Sequence, residues 1–179
     1  MNFPVLQTER LSLRKVEQVD APVVLQGYGD PLVNRYMSVA YNSLEEVQAQ
    51  LDFYNSIYAE GTGIWWAICL KANPSTVIGN AGLNNYRSHH RSIEIGYWLL
   101  PAFQGKGYAA ECVKIICEYA FAQLDVHRIE AIIEGGNDAS IKLLDKLGFT
   151  CEGTHKETEI KNGKYIDLTY YALFNTAHH

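Results

Sequence analysis

Residues 92–110 read Ser-Ile-Glu-Ile-Gly-Tyr-Trp-Leu-Leu-Pro-Ala-Phe-Gln-Gly-Lys-Gly-Tyr-Ala-Ala, and their reading decides the fold. An apolar strand runs to Leu100, a short loop carries Pro101, and a glycine-punctuated turn opens a long helix. Gly105 and Gly107 have no Cβ, so their backbone N–H groups can approach a bulky anion closely. They stand at a helix N-terminus, where unpaired N–H groups and the helix dipole both favour phosphate. The stretch therefore reads as a phosphate cradle fed by a strand.

Downstream, Val113, Ile116, Cys117, Ala120, Phe121 and Leu124 line one face of a helix reaching about Gln123. Arg128 to Glu134 is a strand, so the strand 93–100, the helix and this strand make one βαβ unit with parallel strands. Asn137-Asp138 starts a second helix, with Ile141, Leu144 and Leu147 inward and Gly148 as its stop. Phe149 to Ile160 and Tyr165 to Phe174 are strands, and the Asn162-Gly163 between them is a hairpin signal.

Upstream, residues 10–16 alternate as a half-buried strand does. Asp20 caps a short helix from Ala21, which Gly27, Gly29 and Pro31 are expected to break. Ser43 to Glu46 is a capping box opening a helix to about Ala59, with Leu44, Val47, Leu51, Tyr54 and Ile57 as its stripe. Residues 64–70 and 77–86 are strands, Asn73-Pro74-Ser75 a turn, and Gly79 and Gly82 weaken the second strand or mark a bulge. Short connections make these strands antiparallel. The expected fold is α+β, a mixed and mostly antiparallel sheet of about seven strands with about four helices. It forms one domain over residues 1–177.

Composition narrows the classes. A formal net charge of −5 argues against general nucleic-acid binding. No apolar run reaches membrane-span length, and the first residues lack a signal-peptide pattern, so a cytoplasmic location is expected. Cys69, Cys112, Cys117 and Cys151 show no Cys-x-x-Cys spacing, and the three that lie in apolar strand or helix patterns read as small buried hydrophobes. His89-His90 lack partners at ligand spacing, so no metal is expected. His178 and His179 could be the stub of a purification tag and are set aside.

Three readings of the cradle compete. Gly105-Lys106-Gly107-Tyr108-Ala109-Ala110 satisfies a dinucleotide-binding fingerprint, Gly-x-Gly-x-x-Ala. Against it, four residues separate Leu100 from Gly105, and the chain holds one βαβ unit where two halves are needed. A second reading makes the glycines a plain tight turn. The third is a resemblance. Gln104-Gly105-Lys106-Gly107-Tyr108-Ala109 resembles the acetyl-CoA signature of the GNAT superfamily of N-acetyltransferases. Thr8 to Arg14, Ile95 to Leu99, Asn137 to Ser140, Leu147 to Phe149, Gly153 and the hairpin from Asn162 to Leu173 with Asp167 resemble its Rim-like, ribosomal-protein branch. The likeness spans nearly the whole chain with its elements in order.

That resemblance implies a GNAT fold with splayed central parallel strands. It implies acetyl-CoA as co-substrate, its pyrophosphate on Gln104, Gly105, Lys106, Gly107, Tyr108 and Ala109. Its pantetheine arm would pair with free backbone near Trp98, Leu99 and Leu100. Asn137 would hydrogen-bond the arm, or simply cap its helix, or do both. Glu94 alternates with Ile93 and Ile95 and shares a face with Gly96 and Trp98. The resemblance makes it a general base; paired with Arg87 or Arg91 it would instead be structural. Ser140 is a candidate to assist the departing sulfur, or a plain helix serine. Leu144 stands where many superfamily members carry a tyrosine acid. Backbone N–H near Trp98 or Leu99 would serve the oxyanion, and Trp65, Trp66 and Trp98 could wall the acetyl pocket. The implied acceptor is a protein N-terminus, with a small-molecule amine such as a polyamine, amino acid or amino sugar as the alternative. A cofactor-binding module without turnover is a reading of a different class. A sheet edge or the C-terminal hairpin could pair two copies as a homodimer.

Overall fold

A computed structural model describes residues 2–176. One eight-stranded sheet organises them, in the order β1-β2-β3-β4-β5-β6-β8-β7. The strands are β1 (Leu6–Gln7), β2 (Leu11–Lys15), β3 (Ile64–Leu70), β4 (Asn73–Arg87), β5 (Ser92–Leu99), β6 (Arg128–Glu134), β7 (Thr150–Lys161) and β8 (Lys164–Phe174). Every neighbouring pair is antiparallel except β5 and β6, which are joined through a helix as the βαβ pattern requires. The helices are α1 (Ala21–Gly29), α2 (Pro31–Asn34), α3 (Leu44–Glu60), α4 (Tyr108–Gln123) and α5 (Asp138–Lys146).

The two faces of the sheet carry separate cores. Leu13, Trp66, Ile78, Ile93 and Ile95 pack with Val113, Ile116 and Ala120 of α4 and with Leu144 of α5. Val24, Val47, Leu51 and Tyr54 of α1 and α3 pack with Ala67 and Trp98 on the opposite face. Period-2 alternation along β5 sends Ile93 and Ile95 to the first core and Trp98 to the second, so one strand anchors both layers.

The short second helix and the two-residue first strand raise the counts above the expected four and seven. The reason lies in what punctuates the chain. Gly27 does not end α1: it is buried, and a Cβ there would sit 2.2 Å from the Trp98 ring. It is glycine because an indole packs on the helix. Pro31 begins α2 at the position where a missing N–H costs nothing, and the Asp30 carboxylate accepts the Leu32 N–H at 2.8 Å. Asn73 already pairs with Leu70, so the expected turn at 73–75 belongs to β4, and the register slips between Ile68↔Gly79 and Cys69↔Val77, beside Gly79 as expected and not at Gly82. The C-terminal hairpin is as expected, with Asn162 and Gly163 at φ of 50° and 74°.

Candidate active site

The parallel pairing of β5 and β6 is short. It holds at Ser92↔Arg128, Ile93↔Ile129 and Glu94↔Glu130, and ends there while both strands run on. A wedge-shaped cleft opens between them. The Leu100 N–H donates to the Ile78 carbonyl at 2.9 Å. The two-residue alternation of the ladder therefore turns the main chain of Gly96 and Trp98 toward β4, and that of Tyr97 and Leu99 toward the cleft. Of the expected Trp98, Leu99 and Leu100, Leu99 turns its main chain to the cleft, joined there by Tyr97, while Trp98 and Leu100 turn theirs to β4.

At the far end of the cleft lies the turn into α4. Gly105 and Gly107 take φ of 71° and 83°, the left-handed region that side chains strain to enter. No side chain caps α4, and the first intrahelical N–H there is Glu111's, donated to the Gly107 carbonyl at 3.1 Å. The N–H groups just before it are the orphans that an anion satisfies. The turn is held from outside. The Glu111 carboxylate accepts the Arg10 Nε–H at 2.7 Å, the Arg10 amide at 2.8 Å and the Thr8 hydroxyl. Arg10 Nη1 donates to the Lys106 carbonyl at 3.0 Å, and its guanidinium lies 4.4 Å from the Tyr108 ring centre. Burial works to raise the Glu111 carboxyl, but the Thr8 and Arg10 hydrogen bonds outweigh it and hold the group below its ordinary value. On the strand side, Gln104 Nε2 donates to the Leu99 carbonyl at 2.9 Å, tying the loop to β5.

Cleft and turn open into one cavity of about 490 Å³. It gathers Trp98, Leu99, Gln104, Gly105, Gly107, Tyr108, Ala109, Asn137 and Ser140 of the residues singled out in the sequence. Leu100 is 6% exposed in the second core, and neither it nor Lys106 or Glu94 lines the cavity. Residues missed in the sequence also line it: Tyr97, Lys142 and Lys146, with Leu32, Val33, Tyr36 and Met37 at the α2 end. Lys142 and Lys146 are one helical turn apart on α5, a spacing legible in the sequence, and supply positive charge for an anionic ligand. Tyr36 donates to the Gly136 carbonyl at 2.7 Å, strapping the segment after α2 to the loop that presents Asn137.

Asn137 does cap α5: its Oδ1 accepts the Ser140 N–H at 3.3 Å. Its side-chain amide nitrogen makes no hydrogen bond among the described residues. Glu94 is half-buried, and its Oε2 accepts from Asn85 Nδ2 at 2.6 Å and Asn84 Nδ2 at 3.1 Å. Neither suggested arginine pairs with it. Arg87 bonds Glu130 at 2.6 Å, and Arg91 bonds Asp125 at 2.6 Å. Of the tryptophans, Trp66 is fully buried in the first core and donates to the Pro4 carbonyl, so it walls no pocket. Trp65 stacks on Tyr54 at 5.0 Å and covers Gly96, while Trp98 lines the cavity. The Tyr28 and Tyr54 hydroxyls meet at 3.1 Å, and burial pushes Tyr28 up to about 12, so it stays neutral at working pH.

A splayed pair of parallel strands running into a glycine turn without a side-chain cap offers free backbone to an extended ligand and a cradle to its anion. Residues 10–150 match the Acetyltransferase (GNAT) domain family. The chain belongs to that family and is an acetyl-CoA-dependent N-acetyltransferase. It is 37% identical over 169 residues to the uncharacterized N-acetyltransferase p20 of Bacillus licheniformis, covering 94% of each chain. Its fold matches the ribosomal L7/L12 α-N-protein acetyltransferase RimL in complex with coenzyme A, with a TM-score of 0.86 at 22% identity, over 96% of this chain and 98% of that one. It also matches the spermidine N-acetyltransferase of Vibrio cholerae in complex with CoA and spermine, with a TM-score of 0.81 at 24% identity, over 92% and 95%. No helix of the described residues is long and apolar enough to cross a membrane.

Proposed function

We propose that this chain moves an acetyl group from acetyl-CoA to a single primary amine, a protein N-terminal α-amine, by direct attack in a ternary complex. The observation that carries the choice of acceptor is the cavity's charge. Its ionic lining is Lys142 and Lys146, and no Asp or Glu among the described residues joins them. A polyamine needs carboxylates for its remaining ammonium groups, whereas a peptide presents one amine and an adjacent side chain. Leu32, Val33 and Met37 offer apolar surface for that side chain.

The cradle residues Gly105 to Ala109 bind the pyrophosphate through backbone N–H groups at the positive end of α4. Lys142 and Lys146 reinforce that charge. The cleft-facing backbone of Tyr97 and Leu99 holds the pantetheine arm, with Asn137 beside it. An N–H of this strand meets the oxyanion. Glu94 removes the amine proton. It stands four residues before Trp98 on the same face, roughly 13 Å along the strand, so it acts through water. Ser140 stands by the sulfur end of the cleft. A binding module without turnover would keep Glu94 tied in an ion pair, and its two arginine candidates are engaged elsewhere.

The test is free-thiol release from acetyl-CoA over peptides with Ser, Ala or Met N-termini, polyamines and amino sugars, with Glu94→Gln alongside. Peptide turnover that drops on the order of 100-fold in the variant, with CoA affinity kept, is expected. Turnover confined to polyamines or amino sugars refutes the acceptor. CoA binding without thiol release from any acceptor refutes the enzyme reading.

A further inference from the structure

Leaving-group chemistry has no tyrosine at the position where many superfamily members carry one, because Leu144 is a fully buried core residue. Three other tyrosines line the cavity. Tyr36 commits its hydroxyl to the Gly136 carbonyl at 2.7 Å. Tyr108 lies at the cradle beneath the Arg10 guanidinium, where the phosphates go. The third is Tyr97. Its hydroxyl is buried and makes no hydrogen bond of ordinary length and angle among the described residues, although the Ser140 side chain lies close enough to act on it. A buried O–H without a partner costs about 1–3 kcal/mol, so its persistence calls for a ligand that completes it.

Tyr97 sits on β5 three residues past the last β5–β6 pair, where its own main chain faces the cleft. Its phenol neighbours Ser140 in the first turn of α5. We propose that the Tyr97 hydroxyl is the group that holds the departing sulfur. This rests on the acetyltransferase reading and gives the leaving-group step a donor beside Ser140. The amine nitrogen bonds to the acetyl carbon, and the carbon–sulfur bond breaks with its electron pair passing to sulfur. The base takes the amine proton. The Tyr97 O–H donates a hydrogen bond to the developing thiolate, which draws its proton from solvent on release. Burial raises the Tyr97 phenol, and Ser140 offsets part of that rise. The hydroxyl therefore keeps its proton and acts as a donor rather than becoming a phenolate.

The experiment compares coenzyme A with desulfo-coenzyme A by calorimetry at about pH 8.5, where a thiol begins to ionise. Wild type is expected to prefer the thiol about tenfold, and Tyr97→Phe to abolish the preference while binding desulfo-coenzyme A as before. The same variant should lower kcat on the order of 100-fold with the KM for the amine unchanged. A fluorinated tyrosine at 97, a stronger donor of the same shape, should strengthen the preference. An unchanged preference in both variants overturns the assignment. Failure of wild type to bind either compound overturns the acetyltransferase reading instead.

Discussion

Glu111→Gln perturbs the carboxylate that clamps the start of α4 to the segment before β2. The glutamate is 18% exposed and receives the Thr8 hydroxyl, the Arg10 amide and the Arg10 guanidinium. Glutamine keeps an acceptor but loses the charge and turns an NH₂ toward Arg10. Hydrogen bonds to a charged acceptor exceed neutral ones by about 1 kcal/mol. A partly exposed ion pair adds about 0–1 kcal/mol, and a carboxylate in the first turn of a helix adds about 0.3–1 kcal/mol. The expected loss is about 2 kcal/mol, which at a urea m-value of about 2 kcal/mol/M moves the midpoint down by about 1 M. Because the folded carboxyl is held below its ordinary value, its contribution is fully present above about pH 5, where the unfolded glutamate is ionised. It fades as pH falls from about 4 through the lower folded value. Urea melts of both proteins at pH 7 and pH 3.5 check this. A midpoint change under about 0.2 M at pH 7, or one as large at pH 3.5, refutes the clamp.

Replacing both Lys142 and Lys146 by alanine should weaken coenzyme A binding about tenfold at low salt, with the difference shrinking as salt screens it; equal affinity at all salt concentrations would remove the lysines from the site. Gly27→Ala should lower stability by about 1–3 kcal/mol, read as a fall in the thermal midpoint. Its Cβ would lie 2.2 Å from the Trp98 ring, and the rearranged indole should also alter tryptophan fluorescence.

The cradle was legible in the sequence because its chemistry is local. Two glycines with positive φ at a helix start leave few alternatives, and the βαβ pattern before and after them fixes which strands flank the cleft. Punctuation misled where it had a packing cause. Gly27 reads as a helix breaker until Trp98, seventy-one positions away, is seen against it. The clamp on the cradle joins Arg10 and Glu111 across 101 positions, which no periodicity reports. Glu94 was placed on the correct face by alternation, but its partners turned out to be Asn84 and Asn85 instead of an arginine. That preference came from the register of β4 on β5. Tyr97 escaped notice because it reads as one more apolar position on a strand. Its unpartnered hydroxyl exists only once α5 is packed beside it.

The central claim is that acetyl-CoA lies in the cleft between β5 and β6 with its phosphates on the turn into α4. Backbone amide exchange with and without coenzyme A tests it most directly. Protection confined to Tyr97, Leu99 and the amides from Gly105 to Ala110 is the predicted result. Binding that leaves those amides unprotected, or protects another face of the sheet, would contradict it.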